Sequence, residues 1–460
     1  MNRFRWREHR PSILVAVLSS AFGVALLQVT GNLAVIIGAD DTTGSSATVA
    51  VMLAIVALVF IVISTYVGSV VTANTFSTII AGRTRTIALL RLVGASAHTL
   101  RRGVAKEGLI VGLIGAALGI VVGTALSGSL VLVGVTTDTI PALGYRFADP
   151  VLLVPIVAVV LTTWLASWVG ARRVLHVTPM QATGASVESR AEDVSARRGR
   201  NVTAVVLFAI GTLILAASVA LGFINPAAVL VGVVGGILSF TGVILGAPLV
   251  MPAALRLVGR LFSRSAAGRL AAENAVRYPE RSARTTIGLV IGVTLVTMFA
   301  VAAATFQQLL RPLSDAADLD QLMAVIVGIF SVLIGFSALI AAVGMVNNLS
   351  LSVLQRTREL GLLRALGFTN AQLRSMVRVE AAQLTIAAML VGLVLGTGYG
   401  WVGAQSLLGA MPGASLMLPV IPWWLVAVVV GAGAVLTVAA SVAPTRRATS
   451  IAPVVALAVE

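Results

Sequence analysis

Long apolar stretches alternate with short polar segments along the whole chain. Several of these stretches exceed the roughly 20 residues that an α-helix needs to cross a bilayer. The pattern therefore predicts an all-α polytopic membrane protein with about ten transmembrane helices. The predicted spans lie near residues 12–38, 47–73, 105–135, 150–171, 202–224, 227–254, 285–310, 321–349, 378–408 and 420–445.

Composition and charge agree with this pattern and add an orientation. Of the 460 residues, 58% are hydrophobic and 11% are charged, whereas soluble domains carry about 25% charged residues. The net charge of +15 comes almost wholly from arginines, which cluster at alternate ends of the predicted spans. The positive-inside rule then predicts that both termini are cytoplasmic. Because basic residues mark span ends, binding to nucleic acid is not expected.

The residues needed for metal binding or ATP hydrolysis are absent or lack the required spacing. The chain has no cysteine, and His9, His98 and His176 lack the spacing of a metal site. A phosphate-binding loop needs a lysine followed by serine or threonine, but the single lysine, Lys106, is followed by Glu107. We therefore predict no catalytic residue, no metal and no cofactor in this chain.

One charged segment occurs twice. Residues 83–107, RTRTIALLRLVGASAHTLRRGVAKE, align without a gap with residues 356–380, RTRELGLLRALGFTNAQLRSMVRVE. The distance along the chain that separates Arg83 from Arg356 is here called the repeat displacement. Eleven of the 25 positions are identical. A second pair, residues 171–182 and 445–456, follows the last span of each half. The chain is therefore an internal duplication.

Both copies predict the same local structure on the cytoplasmic side. Leucines at three-residue spacing predict a short amphipathic helix. Gly367 is placed to end that helix in the left-handed conformation, and Thr369 with Gln372 resembles a capping box that opens the next helix. In the first copy Gly94 and Ser96 take these places, although Thr99 cannot complete the box. Such helices could rest on anionic headgroups, but two matching elbows favour transmission of force from a soluble partner.

The duplication predicts the domain organisation. A first four-helix repeat covers residues 1–184, with a cytoplasmic coupling helix at 83–94. A polar linker follows at 185–201, and an intervening pair of transmembrane helices covers 202–264. The second repeat covers 265–460, with its coupling helix at 356–367.

The second copy resembles the FtsX-like, macrolide-exporter-type permeases of ABC transporters. Their cytoplasmic helix reads roughly R-x-R-E-[IL]-G-[LI]-L-R-A-[LI]-G, and residues 356–367 read RTRELGLLRALG. The first copy departs from the pattern, since Thr86 stands where the second has Glu359, and Ala88 where it has Gly361. This departure predicts weaker or different coupling by the first copy. The large extracytoplasmic domain of many relatives is not expected, because the corresponding loops are short.

The resemblance implies the function of a permease subunit in the bacterial cytoplasmic membrane. Two separate ATPase subunits would bind ATP and Mg²⁺ beneath the coupling helices, and the cargo would be a hydrophobic or amphipathic molecule such as a drug, antimicrobial peptide or lipid. The residues expected to couple the ATPases to the spans are Arg83, Arg85, Arg91, Gly94, Glu107, Arg356, Arg358, Glu359, Arg364, Gly367 and Glu380.

Two other functions stay open at this point. An ion-coupled secondary transporter would place charges inside its spans, but those near 47–73, 285–310 and 321–349 hold none. A transmembrane signalling regulator driven by an ATPase would need an outer docking surface, for which the loop at 136–150 is the candidate.

Uncharged polar residues and glycines inside the spans are interpreted as packing features. The glycines of residues 112–123, GLIGAALGIVVG, and their counterparts Gly392 and Gly396 predict close helix contacts. The polar residues expected to form hydrogen bonds between helices are Gln28, Asn32, Gln307, Gln308, Asn347 and Asn348.

Overall fold

The computed structural model describes residues 6–38, 47–82, 84–137, 140–145, 147, 150–172, 198–260, 273, 276–277, 279–310, 335, 367–410 and 416–450. Regular structure in these residues is helical throughout. The helices are α1 (Trp6–Gly38), α2 (Ala47–Gly82), α3 (Thr84–Leu92), α4 (Ala97–Thr136), α5 (Leu153–Gly170, after a 3₁₀ turn at Pro150–Leu152), α6 (Arg198–Gly222), α7 (Ala228–Gly259), α8 (Pro279–Leu310), α9 (Asn370–Leu408) and α10 (Trp423–Ser450).

Helix lengths confirm a polytopic membrane protein. Within the described residues, seven helices are long and apolar enough to cross a membrane: α1 and α4 to α9. Shorter apolar stretches lie in α2 (Ile61–Asn74) and α10 (Trp423–Val435). Each of these helices coincides with a predicted span, with α2 running on to Gly82. Of the predicted span at 321–349, the described residues include only residue 335.

In the first bundle, α4 packs between α1 and α5 through its glycines. A Cβ added to Gly119 would collide with the side chain of Ser20 on α1, and one at Gly123 would lie 2.6 Å from the carbonyl oxygen of Ala21. Gly108, nearer the start of α4, faces α5 instead. The predicted role of the 112–123 glycines in close helix packing is confirmed.

The second bundle repeats this contact between α8 and α9. A Cβ added to Gly392 would lie 2.7 Å from the Cβ of Val293, and one at Gly396 would lie 2.6 Å from the carbonyl oxygen of Thr294. Each residue of these two contacts lies one repeat displacement further along the chain than the residue that makes the same contact in the first bundle. The duplication therefore extends from the cytoplasmic segment to the first helix of each repeat.

The intervening pair, α6 and α7, joins the second bundle. The two helices pack closely on each other, and both contact α9, while α7 also contacts α8 and, over a shorter length, α2. At the start of α6, Arg200 forms an ion pair with Glu280 of α8 at 2.9 Å. Helix α6 thus begins inside the predicted linker 185–201, because Arg198 to Asn201 already belong to it.

Polar aromatic side chains connect the intervening pair to both repeats. The hydroxyl of Tyr66 on α2 shares a 2.8 Å hydrogen bond with the hydroxyl of Thr241 on α7. On the other side of α7, Tyr399 of α9 shares a 2.7 Å hydrogen bond with Ser239. Both tyrosine rings meet Phe240 edge to face. Helix α7 therefore connects α2 with the second bundle, alongside a short direct contact between α2 and α8.

Candidate functional site

The first elbow lies between α3 and α4 and has the predicted local structure. Gly94 adopts a φ of 101°, which an L-residue rarely adopts. The amide of Ala95 donates to the carbonyl of Leu90 at 2.9 Å, and that of Gly94 to Arg91 at 3.1 Å. This pair of hydrogen bonds is a Schellman motif, which ends α3. Ser96 then caps α4 by accepting from the amide of Thr99 at 3.1 Å.

The second elbow has the same left-handed glycine, followed by a complete cap. Gly367 adopts a φ of 94°. The Thr369 side chain accepts from the amide of Gln372 at 3.3 Å, and the Thr369 amide donates to the Gln372 side chain at 2.9 Å. Both the capping box at Thr369 and the incomplete version at Ser96 are confirmed. The coupling helix that precedes Gly367 lies outside the described residues.

One face of α3 fixes it to the cytoplasmic end of the first bundle. Ile87 and Ala88 are buried together with Ile80 at the end of α2 and Ala171 after α5. Leu100 of α4 packs against the same cluster, as does Val104. Since three neighbouring helices contribute to this cluster, α3 cannot be displaced without moving their ends.

The other face of α3 is apolar and exposed. Leu89, Leu90, Leu92 and Val93, here called the α3 patch, all point away from the bundle, and Val93 is 89% exposed. The three-residue spacing of Leu360, Leu363 and Leu366 predicts one apolar stripe, whose counterparts in the first copy are Ile87, Leu90 and Val93. The structure divides it, because only Ile87 is buried. An exposed apolar patch beside arginines is typical of a surface that binds another protein or a membrane.

The structure places only some of the predicted coupling residues. Arg91 lies on α3, partly exposed. Glu107 is partly buried on α4, and its counterpart Glu380 on α9 is 2% exposed. Their roles in coupling stay predictions. Outside the described residues lie Arg83, Arg356, Arg358, Glu359, Arg364 and the side chain of Arg85. Among the residues that are described, no group of three or more metal-ligating side chains occurs.

An arginine clamp that sequence reasoning missed holds the first elbow against α5. The Nε and Nη2 atoms of Arg101 donate to the carbonyl of Trp168, each at 3.2 Å. The guanidinium also lies 3.7 Å from the centre of the Trp168 ring. Arg101 is duplicated as Arg374, but Ser441 and Val442 stand where a second tryptophan would be needed. The clamp therefore belongs to the first repeat alone.

Replacing Trp168 by alanine is expected to loosen the first elbow. The cation–π contact is lost, at a free-energy cost of about 0.5–1 kcal/mol for a partly exposed pair, while the hydrogen bonds to the backbone carbonyl remain available. We expect faster tryptic cleavage after Arg101 in limited digestion of the purified protein. Trp164→Ala, one turn earlier on α5 and similarly exposed, is the control. Equal cleavage rates in the two variants would show that the contact between Arg101 and Trp168 does not stabilise the elbow.

Alanine at Gly94 is expected to destabilise the elbow, whereas alanine at Gly103 should stabilise α4. Neither glycine has an atom within 4 Å of an added Cβ, so only backbone conformation differs. The left-handed turn at Gly94 makes alanine unfavourable by about 1–2 kcal/mol, and the helical position of Gly103 makes it favourable by about 0.5–1 kcal/mol. Midpoints of thermal unfolding should shift in opposite directions. A shift of both midpoints in the same direction would show that Gly94 and Gly103 do not differ in the backbone conformation they require.

Side chains from the spans fasten the outer loops. In the first repeat, Gln28 of α1 donates to the carbonyl of Phe147 at 2.9 Å and to Thr124 of α4 at 3.1 Å. The side chain of Ile140 covers Gly134 at the end of α4. The predicted interhelical role of Gln28 is confirmed. The loop proposed as a docking surface for a signalling partner is thus folded back onto its own bundle.

The repeat displacement relates the two elbows to each other. It also relates the contact of α1 with α4 to the contact of α8 with α9. The chain is therefore a duplicated helical membrane protein. The family model for the C-terminal domain of FtsX-like permeases matches residues 58–179 and 331–453, more than half of the chain. The starts of the two matches are again separated by the repeat displacement. This chain belongs to the FtsX-like permease family.

Curated relatives match over parts of their length. The chain is 30% identical over 145 residues to the uncharacterized ABC transporter permease YknZ of Bacillus subtilis, covering 32% of this chain and 34% of that protein. Over 92 residues it is 33% identical to an uncharacterized ABC transporter permease of Methanocaldococcus jannaschii, covering 20% and 22%. Over 62 residues it is 29% identical to the ABC transporter permease YtrF of Bacillus subtilis, covering 14% of each. The chain thus spans about a third or less of the relatives it matches.

Proposed function

We propose that this chain is the permease subunit of an ABC transporter, which couples ATP hydrolysis on separate subunits to export or extraction of a hydrophobic or amphipathic molecule. The observation that carries the proposal is the first elbow, where a short helix is fixed to the bundle on one face and offers the α3 patch to the cytoplasm on the other. The printed names of the curated relatives, all ABC transporter permeases, support the same class.

The elbow has the mechanics that such coupling needs. Because Ile87 and Ala88 are buried among the ends of neighbouring helices, a force on α3 acts on those ends. Helix α4 then runs without a break for 40 residues, a length of about 60 Å at 1.5 Å per residue. A tilt at its cytoplasmic end is therefore carried across the whole membrane. Helix α9, with 39 residues, offers the same path from the second elbow.

Two elbows in one chain call for two ATPase subunits. Each subunit would bind beneath one coupling helix, at 83–94 or 356–367, and would hold ATP and Mg²⁺ itself. Because Thr86 is exposed on α3, we expect its counterpart in the repeat, Glu359, to be available to the second ATPase. The two coupling helices would then differ by one negative charge at the centre of their contact with the ATPase subunits.

The cargo is proposed to come from the membrane. The outer loops that precede α5 and α10 are held against the bundles by Gln28, Thr305, Trp401 and Gln405. Loops fastened in this way do not form a separate capture domain, whereas lipid-facing helices are directly accessible to molecules dissolved in the bilayer. A drug, an antimicrobial peptide or a lipid meets this requirement. We place the complex in the bacterial cytoplasmic membrane.

Purification from the native membrane in mild detergent, followed by mass spectrometry, tests this proposal. We expect a nucleotide-binding ATPase at about two copies per chain. A variant with Leu90→Asp and Val93→Asp should lose one of them, because two charges in the α3 patch must be desolvated on binding. Leu257→Asp, which alters an exposed leucine near the cytoplasmic end of α7, is the matched control.

The outcomes separate the alternatives. If both ATPase copies stay bound to the Leu90/Val93 variant, docking on the α3 patch is wrong. If no ATPase accompanies even the unmodified chain, under conditions that preserve other membrane complexes, the transporter is not of the ABC class and an ion-coupled carrier becomes the better description.

A further inference from the structure

The segment that leads into α10 and includes the first two residues of that helix presents apolar side chains outward. Residues 416–424, here called the outer strap, read LMLPVIPWW and contain no charged residue. Leu416, Leu418, Ile421 and Trp423 are exposed, with Leu418 at 87% and Trp423 at 82%. These are among the highest exposures of large apolar residues in the described part of the chain, and they adjoin one another in sequence.

Hydrogen bonds hold the strap in this orientation. The indole nitrogen of Trp401 donates to the carbonyl of Met417 at 2.5 Å, and the Met417 amide donates to Gln405 at 3.3 Å. Further along, the Val420 amide donates to Thr305 of α8 at 3.3 Å. Met417 and Val420 are therefore the inner positions, whereas Leu416, Leu418, Ile421 and Trp423 face outward.

The corresponding loop of the first repeat has the opposite character. There Ile140 covers Gly134 and the ring of Phe147 meets Gly128, so the large apolar side chains turn inward. Both of these residues are partly buried, whereas the exposed positions of that loop include the small residues Ala142 and Gly144. Outward apolar side chains are thus a property of the second repeat.

We propose that the outer strap inserts into the outer leaflet and that its occupant is phospholipid. The strap continues directly into the exposed face of α10, which includes Val426 and Val430, and lipid tails cover exposed apolar faces of spanning helices. Tryptophan at the head of a span is characteristic of the headgroup level. An uncharged apolar segment at that level buries its side chains about 5–10 Å into the headgroup boundary.

The strap is also joined mechanically to the second elbow. Trp401 and Gln405 lie near the outer end of α9, and Gly367 with Thr369 lies at its cytoplasmic end. A tilt of α9 would therefore move the strap within the leaflet. Insertion itself requires only that the chain is in a membrane, so it holds or fails independently of the ATPase proposal.

Single-cysteine variants test insertion without background, because the chain has no native cysteine. Leu418→Cys and Trp423→Cys would each be labelled with an environment-sensitive fluorophore and reconstituted into phosphatidylcholine–phosphatidylglycerol vesicles. We expect blue-shifted emission, strong quenching by a lipid nitroxide near the headgroup, weaker quenching by a nitroxide at the chain end, and loss of iodide quenching. Ala142→Cys, on the outer loop of the first repeat, should show red-shifted emission and full iodide quenching.

Two results would overturn the proposal. Iodide quenching at residues 418 and 423 equal to that at residue 142 would place the strap in water. Shielding that appears only at high protein-to-lipid ratio, together with crosslinking between chains, would show that a second copy covers the strap. Labelling both strap positions separately guards against local disturbance by either substitution, since the hydrogen bonds between the strap and Trp401, Gln405 and Thr305 involve neither side chain.

Discussion

Leucine at Gly396 is expected to prevent stable packing of α8 on α9. An added Cβ at this position already lies 2.6 Å from the carbonyl oxygen of Thr294 and 2.5 Å from the Cβ of Thr297. The backbone fixes both the carbonyl oxygen of Thr294 and the Cβ of Thr297, so neither contact can be relieved by side-chain rotation without separating the two helices. Overpacking against side chains costs about 1–3 kcal/mol, and the backbone contact puts Gly396→Leu at or above about 3 kcal/mol. We expect aggregation on extraction, or a large decrease in the midpoint of thermal unfolding.

The control lies two residues away on the same helix. Gly398 has nothing within 4 Å of an added Cβ, so Gly398→Leu adds the same side chain to the lipid-accessible face of α9. This variant should extract and unfold as the unmodified protein does. Matching behaviour of the two variants in size-exclusion chromatography and thermal unfolding would show that α8 and α9 do not approach each other at Gly396.

Removing Glu359 and Arg364 together is expected to release the second ATPase while leaving membrane insertion intact. Their counterparts in the first copy, Thr86 and Arg91, lie on the part of α3 that the bundle does not fully cover, and we expect the same exposure in the second copy. Truncating charged groups that pair across an interface costs about 2–5 kcal/mol, equivalent to about thirtyfold weaker binding or more. Quantitative mass spectrometry of the purified complex measures this loss.

Arg374→Ala is the control for the second site, because this arginine is exposed on α9 beyond the elbow. It should retain both ATPase copies. The difference between the two coupling helices gives a further check, since Thr86→Glu should be tolerated whereas Glu359→Thr should weaken binding. Unchanged recovery of the ATPase with the double alanine variant would remove the coupling role assigned to residues 356–367.

Features that depend on neighbouring residues could be predicted from the sequence. The turn at Gly94 needs a residue that tolerates a positive φ, and the caps at Ser96 and Thr369 need a hydroxyl three residues before an amide, so each is readable in a short window. The span pattern is similarly local, because it depends on hydropathy alone. The duplication required only comparison of the chain with itself, and the repeat displacement recurs in the contacts of α1 with α4 and of α8 with α9.

Contacts between the apolar surfaces of different helices could not be predicted. In a spanning helix nearly every position is apolar, so periodicity does not distinguish a residue facing lipid from one facing another helix. The sequence by itself determined a duplicated polytopic membrane protein with two cytoplasmic elbows. Only the tertiary structure decided that Ile87 is buried while Leu90 is exposed, that α6 and α7 join the second bundle, that Arg101 clamps Trp168, and that the outer strap faces outward. Each of these depends on contacts between residues far apart in the chain, and such contacts leave no signal in local composition.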